Sequence, residues 1–285
     1  MVLTLRRGTP ADASPCGVIA YEAFKAIADQ HNYPPDFPSP QVSTEVLTML
    51  LSHPGFYSVV AERDGAIVGS NFLDERSTIT GVGPITVTPA LQNSGIGRRL
   101  MEDVLAHARD RKAGGVRLVQ TAYHRRSLAL YAKLGFDVRE PLSGMEGAPF
   151  RARVPGYEVR PGSAQDAGAC NTLCARVHGC DRAGEVIDAI RQGLLTVVEH
   201  DGRISGYTTG IGWFTHAVGE SNNEVKALIG AAPNYLGPGF LLPTRNTELF
   251  RWCLGHGLRL MQQMTLMTIG LYNEPAGAYL PGILY

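Results

Sequence analysis

The sequence has no excess of charge of either sign and no long apolar run. Lys plus Arg and Asp plus Glu number 26 each among 285 residues, so the chain offers no general attraction for a polyanion. No apolar stretch approaches the roughly 20 residues of a bilayer-spanning helix, and the first residues lack the pattern of a signal peptide. We therefore expect a cytoplasmic protein whose partner is neither nucleic acid nor a membrane.

Cysteine is scarce and irregularly placed. The five cysteines form an odd set without the spacing of a disulfide framework. Cys170, Cys174 and His178 could share one helical face, but zinc sites usually draw their ligands from two separate elements. We expect reduced thiols, mostly in cores, and no metal site.

An internal repeat is the first positive feature. Residues 5–13 (LRRGTPADA) return as residues 159–167 (VRPGSAQDA), which predicts a strand, a Gly turn, a Ser/Thr cap and a helix with an acidic first turn. Residues 55–69 return in the same order as residues 193–206, and each segment predicts a hairpin around an Asp-Gly turn. The repeat therefore predicts two copies of one fold.

The boundary between the copies is predicted near Pro149 to Gly156, where Gly and Pro are dense and no apolar period continues. This gives one domain at residues 1–150 and a second at residues 155–285. The first copy carries extra length in the Pro-rich segment from His31 to Pro40, which predicts a loop. Such a loop, with its aromatic residues, either lines a site or is a plain surface connection.

A possible anion site follows in the first half. A short strand at residues 83–89 precedes a glycine turn and a helix that runs to about Lys112. Backbone N–H groups of residues 93–98 can converge at the positive end of the helix dipole, and the glycines let a pyrophosphate approach closely. The spacing is neither that of a dinucleotide-binding fold nor that of a P-loop. A different phosphate-bearing ligand is therefore indicated, and a nucleotide-binding regulator is disfavoured.

Two motifs here resemble those of the GNAT superfamily of N-acetyltransferases. The first, Gln/Arg-x-x-Gly-x-Gly/Ala, is met by Gln92, Gly95 and Gly97. After an intervening strand at residues 116–122, residues 127–136 (SLALYAKLGF) resemble the second motif, which ends in Tyr-x-Lys-x-Gly-Phe. The resemblance covers about residues 3–140, while over the second half it is only architectural.

The resemblance implies an α/β protein with a mixed sheet, as two tandem GNAT-like acyl-CoA N-acyltransferase domains. It implies acetyl-CoA as the donor, with pantetheine lying in a splay of the sheet against the backbone of Ile85 and Val87. The residues that it assigns to the cofactor are Ile85, Val87, Gln92, Asn93, Ser94, Gly95, Ile96, Gly97, Arg98, Arg99, Ser127 and Tyr131.

The chemistry requires an acid, an oxyanion donor and a base. Tyr131 suits the acid, because a phenol can protonate the departing thiolate, although packing in a core is its alternative role. The backbone N–H of Val87 suits the oxyanion. Asp74 or Glu75, at the end of the strand that starts near Ala66, could act as base directly or through water. His124, where many relatives have an asparagine, is a further candidate.

The second copy lacks these motifs. Residues 239–250 predict a strand and a helix start without glycines that could admit a pyrophosphate, and the last strand region, 258–272, is not followed by the second motif. We expect no acetyl-CoA there.

The sequence thus predicts an N-acetyltransferase that acetylates a primary amine of a small molecule or peptide, by direct attack in a ternary complex. A non-catalytic acyl-CoA-binding sensor or scaffold is the alternative, and homodimer formation is left open.

Overall fold

The computed structural model describes residues 3–285, in which strands and helices alternate in the order that the repeat predicts. The first half contains β1 (Leu3–Arg7), α1 (Ala13–Gln30), α2 (Pro40–Ser52), β2 (Phe56–Arg63), β3 (Ala66–Asp74), β4 (Ile79–Val82), β5 (Thr86–Val87), α3 (Ile96–Asp110), β6 (Gly115–Thr121), α4 (Arg125–Lys133) and β7 (Asp137–Glu146). The second half contains β8 (Glu158–Pro161), α5 (Ala167–His178), α6 (Ala183–Arg191), β9 (Thr196–His200), β10 (Arg203–Thr208), β11 (Ala217–Gly219), α7 (Asn222–Ala231), β12 (Phe240–Pro243), α8 (Thr247–Gly255), β13 (Arg259–Gly270) and β14 (Ala278–Leu280).

The repeat extends to individual side-chain contacts. Arg6 on β1 donates to both carboxylate oxygens of Asp12 at 2.8 Å, and its Nε donates to Glu62 of β2 at 2.9 Å. The carboxylate of Asp12 also accepts from the backbone N–H of Thr9, which closes the turn before α1. The same contacts recur in the second half, where Arg160 binds Asp166 and Glu199 and Asp166 accepts from Ser163.

The strands form two sheets that do not divide at the predicted boundary. One sheet has nine strands in the order β1-β2-β3-β4-β6-β13-β7-β12, with β5 paired to β3, and the other has five in the order β14-β11-β10-β9-β8. Residues 147–157 contain neither helix nor strand, as expected of a connection. Nevertheless, β12 and β13 of the second half belong to the sheet of the first half.

The position of β13 corrects the expectation of two self-contained domains. This strand lies between β6 and β7 and pairs antiparallel with both, from Met264↔Thr121 to Gly270↔Gly115 on one side and from Arg259↔Glu146 to Thr268↔Asp137 on the other. Without it, β6 and β7 would each expose an unpaired edge of N–H and C=O groups. The two halves are therefore joined by main-chain hydrogen bonds.

Helix α3 covers one face of the larger sheet. Its apolar side, predicted from the 3.6-residue period, is buried: Leu100, Val104, Leu105 and Ala108 are at most 6% exposed. These residues pack with strand residues and with Tyr131 and Phe136 of the following α4 segment in one core. The shared core fixes α3 and α4 side by side above the strands that carry the candidate site.

Candidate functional site

The larger sheet splays open between β5 and β6. Strand β4 pairs in parallel with β6 only from Ile79↔Gly115 to Gly81↔Arg117, and β5 pairs with β3 alone. The backbone N–H of Thr88 donates to the carbonyl of Val68 at 2.9 Å. Because N–H directions alternate along an antiparallel pair, the N–H of Val87 points away from β3 and into the splay. The prediction that Val87 stabilises the oxyanion requires an N–H group of this kind, without a partner in the sheet.

The glycine turn forms an open cradle at the start of α3. Gly95 caps the helix with a φ of 87° and Asn93 has a φ of 65°, so both adopt the left-handed conformation. A Cβ at Gly95 would meet nothing within 4 Å, and one at Gly97 would first meet Val87 at 3.8 Å. No side chain caps α3, so its first N–H groups are available to a ligand. The open cradle fits the pyrophosphate of acetyl-CoA.

The remaining predicted residues of the turn have distinct positions. Ile96 is buried and anchors the helix start, and Ser94 donates to the carbonyl of Leu91 at 2.6 Å. The amide of Gln92 donates to the carbonyl of Val87 at 3.4 Å, while Ile85 packs against the α3 core. Arg98 and Arg99 are exposed in the first turn of α3, with Arg98 3.6 Å from Glu102 and Arg99 donating to the carbonyl of Leu3 on β1 at 3.3 Å.

The sequence analysis did not identify Arg126. This residue lies in the first turn of α4 and donates to Asn93 and Gln92 at 3.4 Å each. Its guanidinium therefore adds a third positive charge to the side of the cradle opposite α3. The signal in the sequence was a basic pair directly after a strand, which has little specificity.

Tyr131 lies on α4, and its ring belongs to the core against which Val87 packs. A Cβ placed on Gly97 would lie 3.8 Å from Val87 and 4.0 Å from Leu130, so α3, β5 and α4 converge at this point. The ring of Tyr131 is buried against Phe136, with centroids 6.1 Å apart. Burial raises the pKa of Tyr131 to about 12, and a hydrogen bond with Ser127 offsets part of this rise. The phenol is therefore protonated throughout the neutral range.

Two polar side chains precede Tyr131 on α4. The hydroxyl of Ser127 is 2.8 Å from Nδ1 of His124, which occupies the N-cap position of the helix. Burial, and after it the positive charge of Arg126, lowers the pKa of His124 to about 4. His124 is therefore a neutral imidazole at neutral pH. His124, Ser127 and Tyr131 form a hydrogen-bonded row along one side of the helix.

The structure places Asp74 and Glu75 away from this row, and we withdraw both as candidate bases. Asp74 is paired with Arg76 at 2.6 Å, and Arg76 also binds Asp188 of α6 at 3.0 Å. Glu75 is 2.8 Å from His107 and 3.1 Å from Arg111, beside the C-terminal end of α3. His107 is ten residues after Gly97, which is about 15 Å along the helix at about 1.5 Å of rise per residue. Both carboxylates instead form structural ion pairs.

The order of elements also corrects the alignment of the second half. The counterparts of β4, α3, β6 and α4 are β11, α7, β12 and α8, so residues 239–250 correspond to β6 and the start of α4 and not to the glycine turn. The counterpart of the turn is Glu220-Ser221. Ser221 caps α7, because its Oγ accepts from the backbone N–H of Asn223 at 3.2 Å and the carboxylate of Glu224 accepts from the backbone N–H of Ser221 at 2.9 Å. Glu220 is paired with Arg176 and Arg203, so the carboxylate of Glu224 is the group that occupies the helix start. These features oppose phosphate binding and support the prediction that this copy binds no acetyl-CoA.

Comparisons with known proteins agree with this geometry. The model of the acetyltransferase (GNAT) family matches residues 22–136, which include both motifs. Among curated proteins, no sequence match is significant. In residues 3–285, no helix has the length and apolar character needed to cross a bilayer.

Solved structures of similar fold extend over both halves. An acetyltransferase-like protein from Pyrococcus horikoshii is 18% identical with a TM-score of 0.75, over 99% of this chain and 94% of that one. A GCN5-related N-acetyltransferase from Sphaerobacter thermophilus is 16% identical with a TM-score of 0.63, over 96% and 98%. The tandem GNAT protein of the clavulanic acid biosynthesis pathway is 14% identical with a TM-score of 0.57, over 95% and 100%. Residues 22–136 therefore match the acetyltransferase (GNAT) family, an enzyme family whose acyl donor is acetyl-CoA, and the chain as a whole has the fold of tandem GNAT proteins.

Proposed function

We propose that the first half transfers the acetyl group of acetyl-CoA to a primary amine of a small molecule or peptide, by direct attack in a ternary complex. The observation that carries the proposal is the buried, protonated phenol of Tyr131 beside the splay that exposes the N–H of Val87. Acetyl-CoA supplies an activated thioester when bound. A protein that only bound acyl-CoA would have no need of an acid at this position.

The residues have separate roles in this proposal. The cradle at Gly95 and Gly97 holds the pyrophosphate, and Arg126 with the exposed Arg98 and Arg99 supplies positive charge. The N–H of Val87 donates to the thioester oxygen as negative charge develops on it.

Tyr131 donates its proton to the departing sulfur. The phenol has a pKa of about 12, whereas a thiol in water has a pKa near 8.5. Proton transfer from Tyr131 to the thiolate is therefore more unfavourable than it would be from an ordinary tyrosine. Burial also raises the pKa of a thiol, as it does for Cys16, whose pKa is raised to about 11. A buried CoA thiol would therefore have a pKa closer to that of the phenol. The row of His124 and Ser127 is placed to return a proton to the phenol.

The test is release of free CoA from acetyl-CoA with a panel of amines, measured with a thiol reagent. Tyr131→Phe keeps the ring packing, so we expect a loss of about a hundredfold in kcat with little change in the Kd of acetyl-CoA. The control is Tyr57→Phe, which removes another hydroxyl, one that donates to Asp103 at 2.8 Å on the far side of α3. Full kcat in Tyr131→Phe between pH 6 and 9 would remove Tyr131 from the mechanism. Absence of CoA release with every amine would favour the sensor.

A further inference from the structure

The loop after α1 closes over the end of β6 through aromatic contacts. Tyr33 stacks on Tyr123 with centroids 4.3 Å apart and planes 17° apart, and His31 lies against the other part of the same ring at 5.1 Å. Tyr123 immediately precedes His124, so this aromatic group adjoins the row that ends at Tyr131.

A carboxylate from the same loop meets an amide from the second half beneath these rings. Oδ1 of Asp36 accepts from Nε2 of Gln262 on β13 at 3.2 Å, across 226 positions of the sequence. Burial, and after it the charge of Asp36, raises the pKa of Tyr123 to about 12. The inserted strand β13 therefore completes this side of the candidate site.

Two oxygens in this contact are buried without a hydrogen bond. They are Oδ2 of Asp36 and Oε1 of Gln262, and Gln262 as a whole is only 3% exposed. Exchanging the oxygen and nitrogen of the Gln262 amide would not satisfy these oxygens, because the amide oxygen would then face the carboxylate of Asp36. No Lys or Arg in residues 3–285 pairs with Asp36, although many other carboxylates here have such a partner. A half-buried carboxylate with a single neutral donor and no cation beside it is costly, and burial raises the pKa of Asp36.

A ligand that satisfies both oxygens must be a donor and should be positive. An ammonium group has three N–H donors, and the neighbouring rings of Tyr33 and Tyr123 add a surface that favours cations. A hard metal ion is a poor match, since it needs about six oxygen ligands, and within residues 3–285 no metal-binding group of acidic, His or Cys residues occurs.

The held ammonium differs from the amine that reacts. A carboxylate stabilises the protonated form of an amine beside it, whereas the nucleophile must be neutral to attack the thioester. Resting on the proposed function, we propose that Asp36 and Gln262 form a subsite for a second, non-reacting ammonium of the acceptor. The acceptor class is therefore an aliphatic diamine or polyamine, one end held at Asp36 and the other acetylated near Tyr131.

Matched acceptors test the subsite in the full chain. 1,4-Diaminobutane and pentylamine have nearly the same shape, with a methyl group in place of the second ammonium. We expect kcat/KM to favour the diamine by at least about 30-fold, the effect of about 2 kcal/mol for a buried charge pair. In Asp36→Asn this preference should disappear through loss of the diamine rate, with the pentylamine rate and the KM of acetyl-CoA retained. Asp29→Asn, an exposed carboxylate near the end of α1, is the control.

Calorimetry separates failure of the subsite from failure of the proposed function. With CoA present, wild-type protein should bind 1,4-diaminobutane at least about 30-fold more tightly than Asp36→Asn does, whether or not acetyl transfer occurs. Equal binding of diamine and pentylamine to the wild type would overturn the proposal. So would an equal loss of both rates in Asp36→Asn, because Asp36 would then only support the loop. Diamine binding without any CoA release would keep the subsite and reject the enzyme.

Discussion

At the scale of single residues, each half closes its first strand onto its first helix with one arginine and one aspartate. Hydrogen bonds from Arg6 hold the pKa of Asp12 at about 2, although burial opposes this shift. The corresponding bonds from Arg160 also lower the pKa of Asp166. Bonds of this charge-assisted kind are among the stronger ones in a folded chain, and each carboxylate also caps the turn that follows it.

We expect Asp12→Asn and Asp166→Asn each to lower the free energy of unfolding by about 1.5–3 kcal/mol, because each removes charge-assisted hydrogen bonds from a buried group. Urea unfolding of both variants measures this. Asp110→Asn, at the exposed end of α3, is the control. An effect on only one half would show that the two contacts differ in strength despite their equal geometry.

The contact between Arg6 and Asp12 also predicts how the stability of the fold changes with pH. The folded pKa of Asp12, about 2, is below the ordinary 3.8, so the unfolded chain binds more protons between these values. The contribution of Asp12 is therefore complete above about pH 4 and is lost as the pH falls toward 2. Carboxyl titration followed by NMR should show this low pKa. A value near 3.8 would mean that the bonds to Arg6 contribute little in solution.

At the scale of elements, α3 and α7 are equivalent helices whose N-termini are capped differently. Helix α3 begins at a glycine with no side-chain cap, whereas the first N–H groups of α7 face Ser221 and Glu224. An uncapped, glycine-rich start attracts an anion, and a start already supplied with a carboxylate repels one. This difference, together with the lack of a counterpart of the Tyr131 motif, separates the active copy from the degenerate one in our proposal.

Gly97→Asp should weaken acetyl-CoA binding at least about tenfold, because it places a carboxylate beside the phosphates. The fold should tolerate it, since a Cβ at Gly97 meets no atom closer than 3.8 Å. Gly168→Asp, in the first turn of α5, makes the same change where a Cβ meets nothing within 4 Å. We expect calorimetry to find one acetyl-CoA per chain. Two would contradict the assignment of the second copy.

At the scale of the whole molecule, β13 makes the two halves interdependent. It supplies both the strand between β6 and β7 and the Gln262 amide that contacts Asp36. Other links, such as Arg76 with Asp188, also cross between the halves. The second half therefore contributes to the site even though it lacks a cradle of its own.

Residues 1–150 expressed alone should fail to form a stable acetyl-CoA-binding domain, since β6 and β7 would lose their shared partner. Co-expression with residues 151–285 should restore a complex that purifies together and binds acetyl-CoA. Gel filtration and calorimetry check both outcomes. Full-affinity binding by residues 1–150 alone would show that β13 is dispensable.

Local pattern alone determined the repeat, the glycine turn, the helix that carries Tyr131 and the loop from His31, because each depends on neighbours within a few residues. Only the tertiary structure decided the place of β13, the ion pairs that remove Asp74 and Glu75 from the chemistry, and the contact of Asp36 with Gln262. The last of these spans 226 positions and Arg76 with Asp188 spans 112. Strand pairing and buried charge contacts at such separations follow from how elements pack, and packing leaves no periodic trace in a single sequence.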